Sequence, residues 1–371
     1  MRRPLRLLTL AAALAALLGG RPLAAATTLD PAVIENPRNA TLDRASSRRW
    51  EALFQPNSSW IPRQVAYLEQ HQPEQAASLL VARLLYRGEA WKRRPSDSIN
   101  ALRWRQDDQE IRLAVLRALR SYRDPAVGDA ICQFLVGETD AELVMSALVN
   151  LTLIDAPSGP VWALRLADPR LATHLPGSAN PAVRQQCLSF LMQTRGIEAA
   201  ETRQALDWAL LRVGGAERNH AIGLVPAGGA NDLLTTLVLK LAGEYRGNVS
   251  DGDGKFGLVL AINRLTGTAE RDLVMALMGL AEHGERAIAA SAASALATRL
   301  AWEVPVAIND LATRAKQDPD PVVRQALLAF LMRLYPDAVA GATTPASPWA
   351  ALANHQEQLM QWEEERAKNG K

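Results

Sequence analysis

One phrase occurs three times along this 371-residue chain: DPAVGDAICQFL from Asp124, NPAVRQQCLSFL from Asn180 and DPVVRQALLAFL from Asp320. Each copy opens with Asp or Asn followed by Pro, has Val three residues after the opening residue, and closes on Phe-Leu at the same offsets. A short acid or amide accepts from the free N–H groups of a helix start, and Pro fits the first helical position because its missing donor would be orphaned there anyway. The apolar positions that follow recur at helical spacing and mark faces that neighbouring helices cover. A helical unit repeated in this way predicts an array of stacked helices.

The turn residues ahead of such helices form a ladder at Gln72, Asp108, Asp140, Asn180, Asp253, Glu285 and Asp320. Successive gaps are 36, 32, 40, 73, 32 and 35, the long one reading as two units with a degenerate turn near Asn219. Between them lie further apolar helical segments at Ala126–Leu135, Thr202–Arg212, Leu233–Ala242, Arg271–Ala281 and Val306–Ala315. Asp124 heads one of these partner segments, so the phrase also reports capping chemistry common to both helices of a unit. Two helices per unit of 32–40 residues predict an all-α fold, an α-solenoid of about eight helix pairs.

Asp320-Pro321-Val322-Val323-Arg324 followed by Ala326-Leu327-Leu328 resembles the second helix of HEAT repeats, in their short bacterial form. Asn180 with Arg184 and Asp108 with Arg112 match the same acid-to-arginine spacing. The resemblance covers about residues 60–336 and implies a right-handed superhelix in which these side chains form a polar ladder between repeats. The arginine slot holds Val144, Gly257 and Ala289 after Asp140, Asp253 and Glu285, which interrupts that ladder. The family consists mainly of scaffolds and adaptors, so the resemblance implies binding rather than catalysis.

Arg2, Arg3 and Arg6 precede an apolar run from Leu7 to Gly20, and Leu23-Ala24-Ala25-Ala26 supplies small residues for cleavage before Thr27. This predicts a Sec-type leader over residues 1–26 and a periplasmic or secreted protein, with no stable membrane span after cleavage. The whole chain carries 41 Lys+Arg against 39 Asp+Glu; Arg2, Arg3, Arg6 and Arg21 leave with the leader, so 37 face 39. A mildly acidic mature chain is a poor nucleic-acid binder, because phosphate neutralisation dominates that affinity. With 48% hydrophobic but only 5% aromatic residues, Leu and Ala must do most of the packing, as suits closely spaced helices. The remaining layout is a polar arm over 27–57, the solenoid over 58–340, a linker over 341–348, and an amphipathic helix over 349–371. In that last segment Trp349, Leu352, Leu359 and Trp362 are spaced for one helical face, which either caps the array or meets a partner.

Candidate chemistry is sparse. His71, His174, His220, His283 and His355 are scattered, and none joins a cysteine pair at metal-ligand spacing. HEAT-repeat hydroxylases hold di-iron with His-Glu dipeptides, and no histidine here is followed by Glu. Asn248–Phe256 (NVSDGDGKF) has the wrong residues for a calcium loop, with Lys255 at a ligand slot, and reads as a glycine-rich turn ending in a cap. No nucleophile elbow or phosphate loop occurs, and no cofactor or metal is expected. Cys132 and Cys187 lie in apolar helical contexts and read as buried free thiols. Asn39, Asn57, Asn150 and Asn248 open sequons that a eukaryotic secretory route would glycosylate.

One surface stands out. From Arg83 the basic residues Arg87, Lys92, Arg93, Arg94, Arg103 and Arg105 interleave with Trp91 and Trp104, a combination suited to carboxylates, phosphates or sugar acids. The expectation is therefore a non-enzymatic exported scaffold that binds a protein partner along its helices. The alternative is binding of an acidic glycan or cell-envelope polymer through residues 83–105.

Overall fold

The computed structural model describes residues 29–54, 61–86, 99–302 and 311–334; the leader, Arg87, Trp91, Lys92, Arg93, Arg94 and the segment 349–371 lie outside them. Among the described residues the chain is helical throughout, apart from one two-residue parallel bridge. It divides into two compact units, 1–186 and 187–371.

In the first unit the helices are α1 (Pro31–Glu35), α2 (Arg44–Ala52), α3 (Ile61–His71), α4 (Ala76–Leu85), α5 (Ile99–Leu119), α6 (Pro125–Val136), α7 (Ala141–Ile154), α8 (Ser158–Ala167) and α9 (Pro176–Ala179). The boundary falls inside α10 (Pro181–Thr194). The polar stretch after Thr27 thus carries two helices: α1 lies on α4, and α2 on α3. α4 is buried from Ala76 to Leu84 and is covered by α1, α3, α5 and α6, the condition that an all-round apolar helix requires. Beyond it, α7 packs on α5, α6 and α8.

The second unit holds α11 (Ala200–Asp207, continued to Arg212 as a π turn), α12 (Gly215–Leu224), α13 (Asn231–Arg246), α14 (Gly252–Arg264), α15 (Arg271–His283), α16 (Arg286–Ser294, continued to Arg299 as a π turn), α17 (Leu311–Gln317) and α18 (Pro321–Leu334). Here the pairing is regular. α13 packs on α14, α15 on α16 and α17 on α18; α12, α14, α16 and α18 contact in file, as do α13, α15 and α17. The loops after α14 and α16 meet in the parallel bridge, β1 (Gly267–Thr268) with β2 (Leu300–Ala301). The core between the files is Leu, Ala, Ile and Val, with Phe330 fully buried near its end.

The repeated phrase does one job wherever it occurs. Asp124 accepts from Ala126 N at 2.8 Å, Asn180 from Ala182 N at 3.0 Å and Asp320 from Val322 N at 2.8 Å. A fourth copy, Asp30-Pro31-Ala32-Val33, makes the same contact to Ala32 N at 2.9 Å, although its helix stops after five residues. In all four the Val three residues on is buried.

Three expected caps differ. Asp108 does not begin a helix: α5 runs through it from Ile99, because Arg103–Gln109 contains no breaker. α14 is capped by Asp251, which accepts from Gly254 N at 2.7 Å, so Asp253 falls in its first turn. The same cap confirms Asn248–Phe256 as a turn leading into a helix. Glu285 stands at the start of α16 but makes no capping bond. Near Asn219 the irregular turn is at Gly214, and Asn219 itself lies inside α12.

Arg83 was expected on a basic surface and is instead buried at 2% exposure. Its Nε donates to Leu53 O at 2.7 Å and its Nη2 to Asp108 at 2.6 Å, while its guanidinium lies over the Phe54 ring. Asp108 also pairs with Arg112 Nε at 2.7 Å; Arg112, wholly buried, donates to Tyr86 O at 2.7 Å and faces Glu138 at 3.7 Å. Glu138 accepts from Thr139 N and Asp140 N, the start of α7. Two arginines and two carboxylates thus join the end of α2, α4, α5 and the α6–α7 turn in a balanced network. Burial pushes the Arg83 pKa below its ordinary value, and Asp108 opposes that shift.

Removing one member leaves a buried charge uncompensated, which costs about 3–5 kcal/mol. Asp108→Ala should therefore lower stability by about that amount, whereas loss of the simple cap in Asp140→Ala should cost about 1 kcal/mol. Urea unfolding of the two variants measures the contrast, and equal losses would remove the network from the account.

Candidate functional site

Short helices have many ends, and each end leaves orphan N–H or C=O groups. In the second unit the neighbouring helix of the same file supplies the partners. Arg264 at the end of α14 donates to Gly223 O of α12 at 3.3 Å. Arg299, after α16, donates to Asn263 O of α14 at 3.0 Å, and Arg333 of α18 donates to Leu296 O after α16. In the first unit Asn150 of α7 does the same to Leu116 O of α5 at 2.6 Å. Its amide is wholly buried, so the sequon at Asn150 is closed to glycosylation. The cationic side chains also sit where helix dipoles favour them, at C-termini.

The helix starts are linked as well. Asn219 donates to Asp253 O at 3.2 Å, Lys255 pairs with Glu285 at 2.5 Å, and Arg286 pairs with Asp320. The arginines expected as a ladder, Arg184 and Arg324, turn back instead to Ser178 O and Asp318 O, just before their own helices. Gly257, in the interrupted slot, is explained by close approach: a Cβ there would lie 2.5 Å from Asn219 Oδ1.

Between these two polar edges the middle of the outer face of α14, α16 and α18 carries no charge, and the exposed Asp253, Arg286 and Arg333 of the same helices stand at its ends. α14 presents Phe256, Val259, Leu260 and Asn263; α16 presents Ala290, Ser291 and Ser294. α18 presents Val322, Gln325, Ala329 and Met332, a stripe at helical spacing. Phe256 is 56% exposed, Val322 47% and Met332 43%. The file of α13, α15 and α17 exposes Asp232, Lys240, Arg271, Asp272 and Lys316, and among them one large apolar side chain, Met275, 49% exposed. Exposed apolar side chains scattered singly are ordinary; here Phe256, Val322 and Met332 stand on helices of one file.

Of the basic Trp/Arg segment, Arg103, Trp104 and Arg105 fall within the helical span of α5, and the other five residues lie outside the described ones. Both cysteines are free; Cys187 is fully buried, which pushes its thiol far above the ordinary range, and Cys132 is half-buried. Ser189 Oγ and His220 Nε2 lie 3.4 Å apart on open surface, without the enclosure that an activated serine needs. Among the described residues there is no cluster of metal-ligating side chains and no helix long and apolar enough to cross a membrane. No family model, curated protein or solved structure matches the chain.

The uncharged strip had a signal that reading for motifs missed: it lies in the gaps of the phrase, at Val322, Gln325, Ala329 and Met332. The C-terminal rungs had one too. Arg-Leu recurs at Arg264, Arg299 and Arg333, at gaps of 35 and 34.

One junction between α15 and α17 carries a perturbed carboxylate. Arg314 of α17 donates to Ala281 O at 2.7 Å and Gly284 O at 2.8 Å, closing the end of α15, and is held by Asp318 at 2.9 Å. The bond from Arg314 holds the Asp318 carboxyl below its ordinary value, and Asp232 is lowered likewise by Arg203. A depressed folded pKa gives stability that is present above the unfolded value and lost as pH falls through the folded one. Stability should thus fall below about pH 4, and Asp318→Asn should make that decline shallower. Urea midpoints from pH 7 to pH 2.5 test this; parallel curves for the two proteins would remove Asp318 from the acid response.

Proposed function

We propose that this chain is an exported, non-enzymatic scaffold, a right-handed α-solenoid of the HEAT type that binds a partner protein along the outer face of its second helices. The observation that carries the reading is the contrast between the two files of the second unit. The middle of the face of α14, α16 and α18 is free of charge and offers Phe256, Val322 and Met332 to solvent, with Asp253, Arg286 and Arg333 only at its ends, while α13, α15 and α17 expose Lys240 and end charges around a single large apolar side chain, Met275. Protein interfaces are depleted in charge at their centre and enriched in aromatic residues and Met.

The regular pairing from α13 to α18 supports the repeat reading, because each pair leaves one face to its neighbour and one to solvent. The leader and the mildly acidic mature chain favour a partner outside the cytoplasm that is not a nucleic acid.

The test is in-cell crosslinking of the processed protein, with co-purification of whatever it holds. A stoichiometric protein should be captured by the native chain and lost from Phe256→Glu/Met332→Glu, while Arg93→Glu/Arg94→Glu retains it. Loss in the second variant alone, or retention on envelope polymer that salt abolishes, would replace this reading with polymer binding through residues 83–105.

A further inference from the structure

We propose that the partner of the outer face of α14, α16 and α18 is a second copy of this chain, docked by a twofold axis that runs across the three helices. The inference rests on reading that face as an interaction surface and names what it binds. Phe256, Val322 and Met332 are exposed in the single chain, so they stand open to another molecule.

The face is symmetric about one level of the repeat. On α18, Val322 and Met332 stand five residues either side of Leu327, and Gln325 and Ala329 stand two either side. On α16, Ala290 and Ser294 flank Ala292 by two, and on α14 Phe256 and Leu260 flank Leu258 by two. Leu258, Ala292 and Leu327 are wholly buried, and each lies seven residues beyond the residue that heads its helix, Asp251, Glu285 or Asp320. Neighbouring helices of the file are in contact, so the three midpoints share one level across it.

A twofold axis above that level, perpendicular to the helices, lays each helix antiparallel on its own copy, an isologous contact. Val322 of one copy then meets Met332 of the other, Gln325 meets Ala329, and Phe256 meets Leu260. Small side chains at Ala290, Ser291 and Ser294 let α16 approach its copy closely at the centre. The end charges fix the direction. Asp253, Arg286 and Arg333 of one copy come opposite Asn263, Thr298 and Pro321 of the other, none of which is charged. An axis parallel to the helices would instead set Arg286 against Arg286 and align the helix dipoles side by side, both unfavourable. Three helices about 8–10 Å apart, paired over about 15–20 Å of their length, give a patch of about 400–500 Å² on each copy. The pair would bury about 800–1,000 Å², the size of a weak, reversible contact.

Sedimentation equilibrium of the processed full-length protein should show a reversible monomer–dimer equilibrium. Val322→Lys and Met332→Glu should each weaken the dimer by about tenfold or more, the scale set by one large buried apolar side chain. Combined in one chain they should recover much of that loss, because the two positions are opposite between copies. Within α18 they lie ten residues, about 15 Å, apart and cannot pair. A second readout leaves these side chains intact: chains carrying Gln325→Cys and chains carrying Ala329→Cys should form a disulfide faster when mixed than either does alone. A dissociation constant above about 1 mM, a double variant no tighter than the single ones, or no gain on mixing the cysteine chains would each overturn the proposal. A monomer that still captures a different protein through Phe256 and Met332 would overturn it too, yet leave the scaffold reading standing. A dimer that captures no other protein would do the reverse.

Discussion

The interaction on which this structure depends is the satisfaction of helix ends. A chain built from helices of about three turns has a terminus every dozen residues, and each terminus strands polar backbone groups. A buried group left unpaired costs on the order of 1–3 kcal/mol, so a stack of short helices with open ends would lose its stability to them. At helix C-termini the fold answers with side chains from a neighbouring helix, Asn150 in the first unit and Arg264, Arg299 and Arg333 in the second, while Asn219, Lys255 and Arg286 link the helix starts of the second unit to one another. Arg314 does the same between α15 and α17, reaching two carbonyls and being held in place by Asp318. These links also fix register. A shift of register would move each arginine away from its carbonyl as well as turn the apolar face from its neighbour, so end-pairing and packing favour the same arrangement.

Sequence reading recovered the features set by local chemistry. Asp-Pro and Asn-Pro announce a helix start because both residues act within one turn, and Asp124, Asn180 and Asp320 cap as expected. The fourth copy at Asp30 was passed over because its helix is too short to show a period. Asp108 was misread for the opposite reason. An acid four residues before an arginine looks the same whether it caps a helix or lies inside one; the breaker-free run before it carries α5 through Asp108, which then pairs with Arg83 of α4, 25 residues away. Arg83 likewise read as surface because charge usually is, and only the enclosure of α4 on several sides forces it inward.

The buried network around Asp108 and Arg112 has a particular place in this scheme. Ion pairs taken out of water gain little net stability over a well-packed apolar substitute, but they tolerate few alternative arrangements. Leu- and Ala-rich helices offer many near-equivalent ways to pack, since such side chains differ little in shape. A network that needs Leu53 O, Tyr86 O and the α7 start all in place selects one of them. The second unit has no need of the same device, because its repeated pairs receive their register from the polar edges.

That division of labour explains why the strip between the edges is informative. Packing constrains the buried side of α14, α16 and α18, and end-pairing constrains their termini; neither constrains the outer stripe. Exposed helix positions without a structural duty normally carry Lys, Glu, Arg or Asp, which keep a surface soluble and favour the helix. In α13, α15 and α17 the exposed positions are mixed: Asp232, Lys240 and Lys316 follow that rule, and Met275, 49% exposed, does not. Across the facing file Phe256, Val259, Leu260, Ala290, Ala329 and Met332 do not. A strip in the middle of the file that neither packing nor end-pairing requires is the feature that supports the proposed partner-binding role.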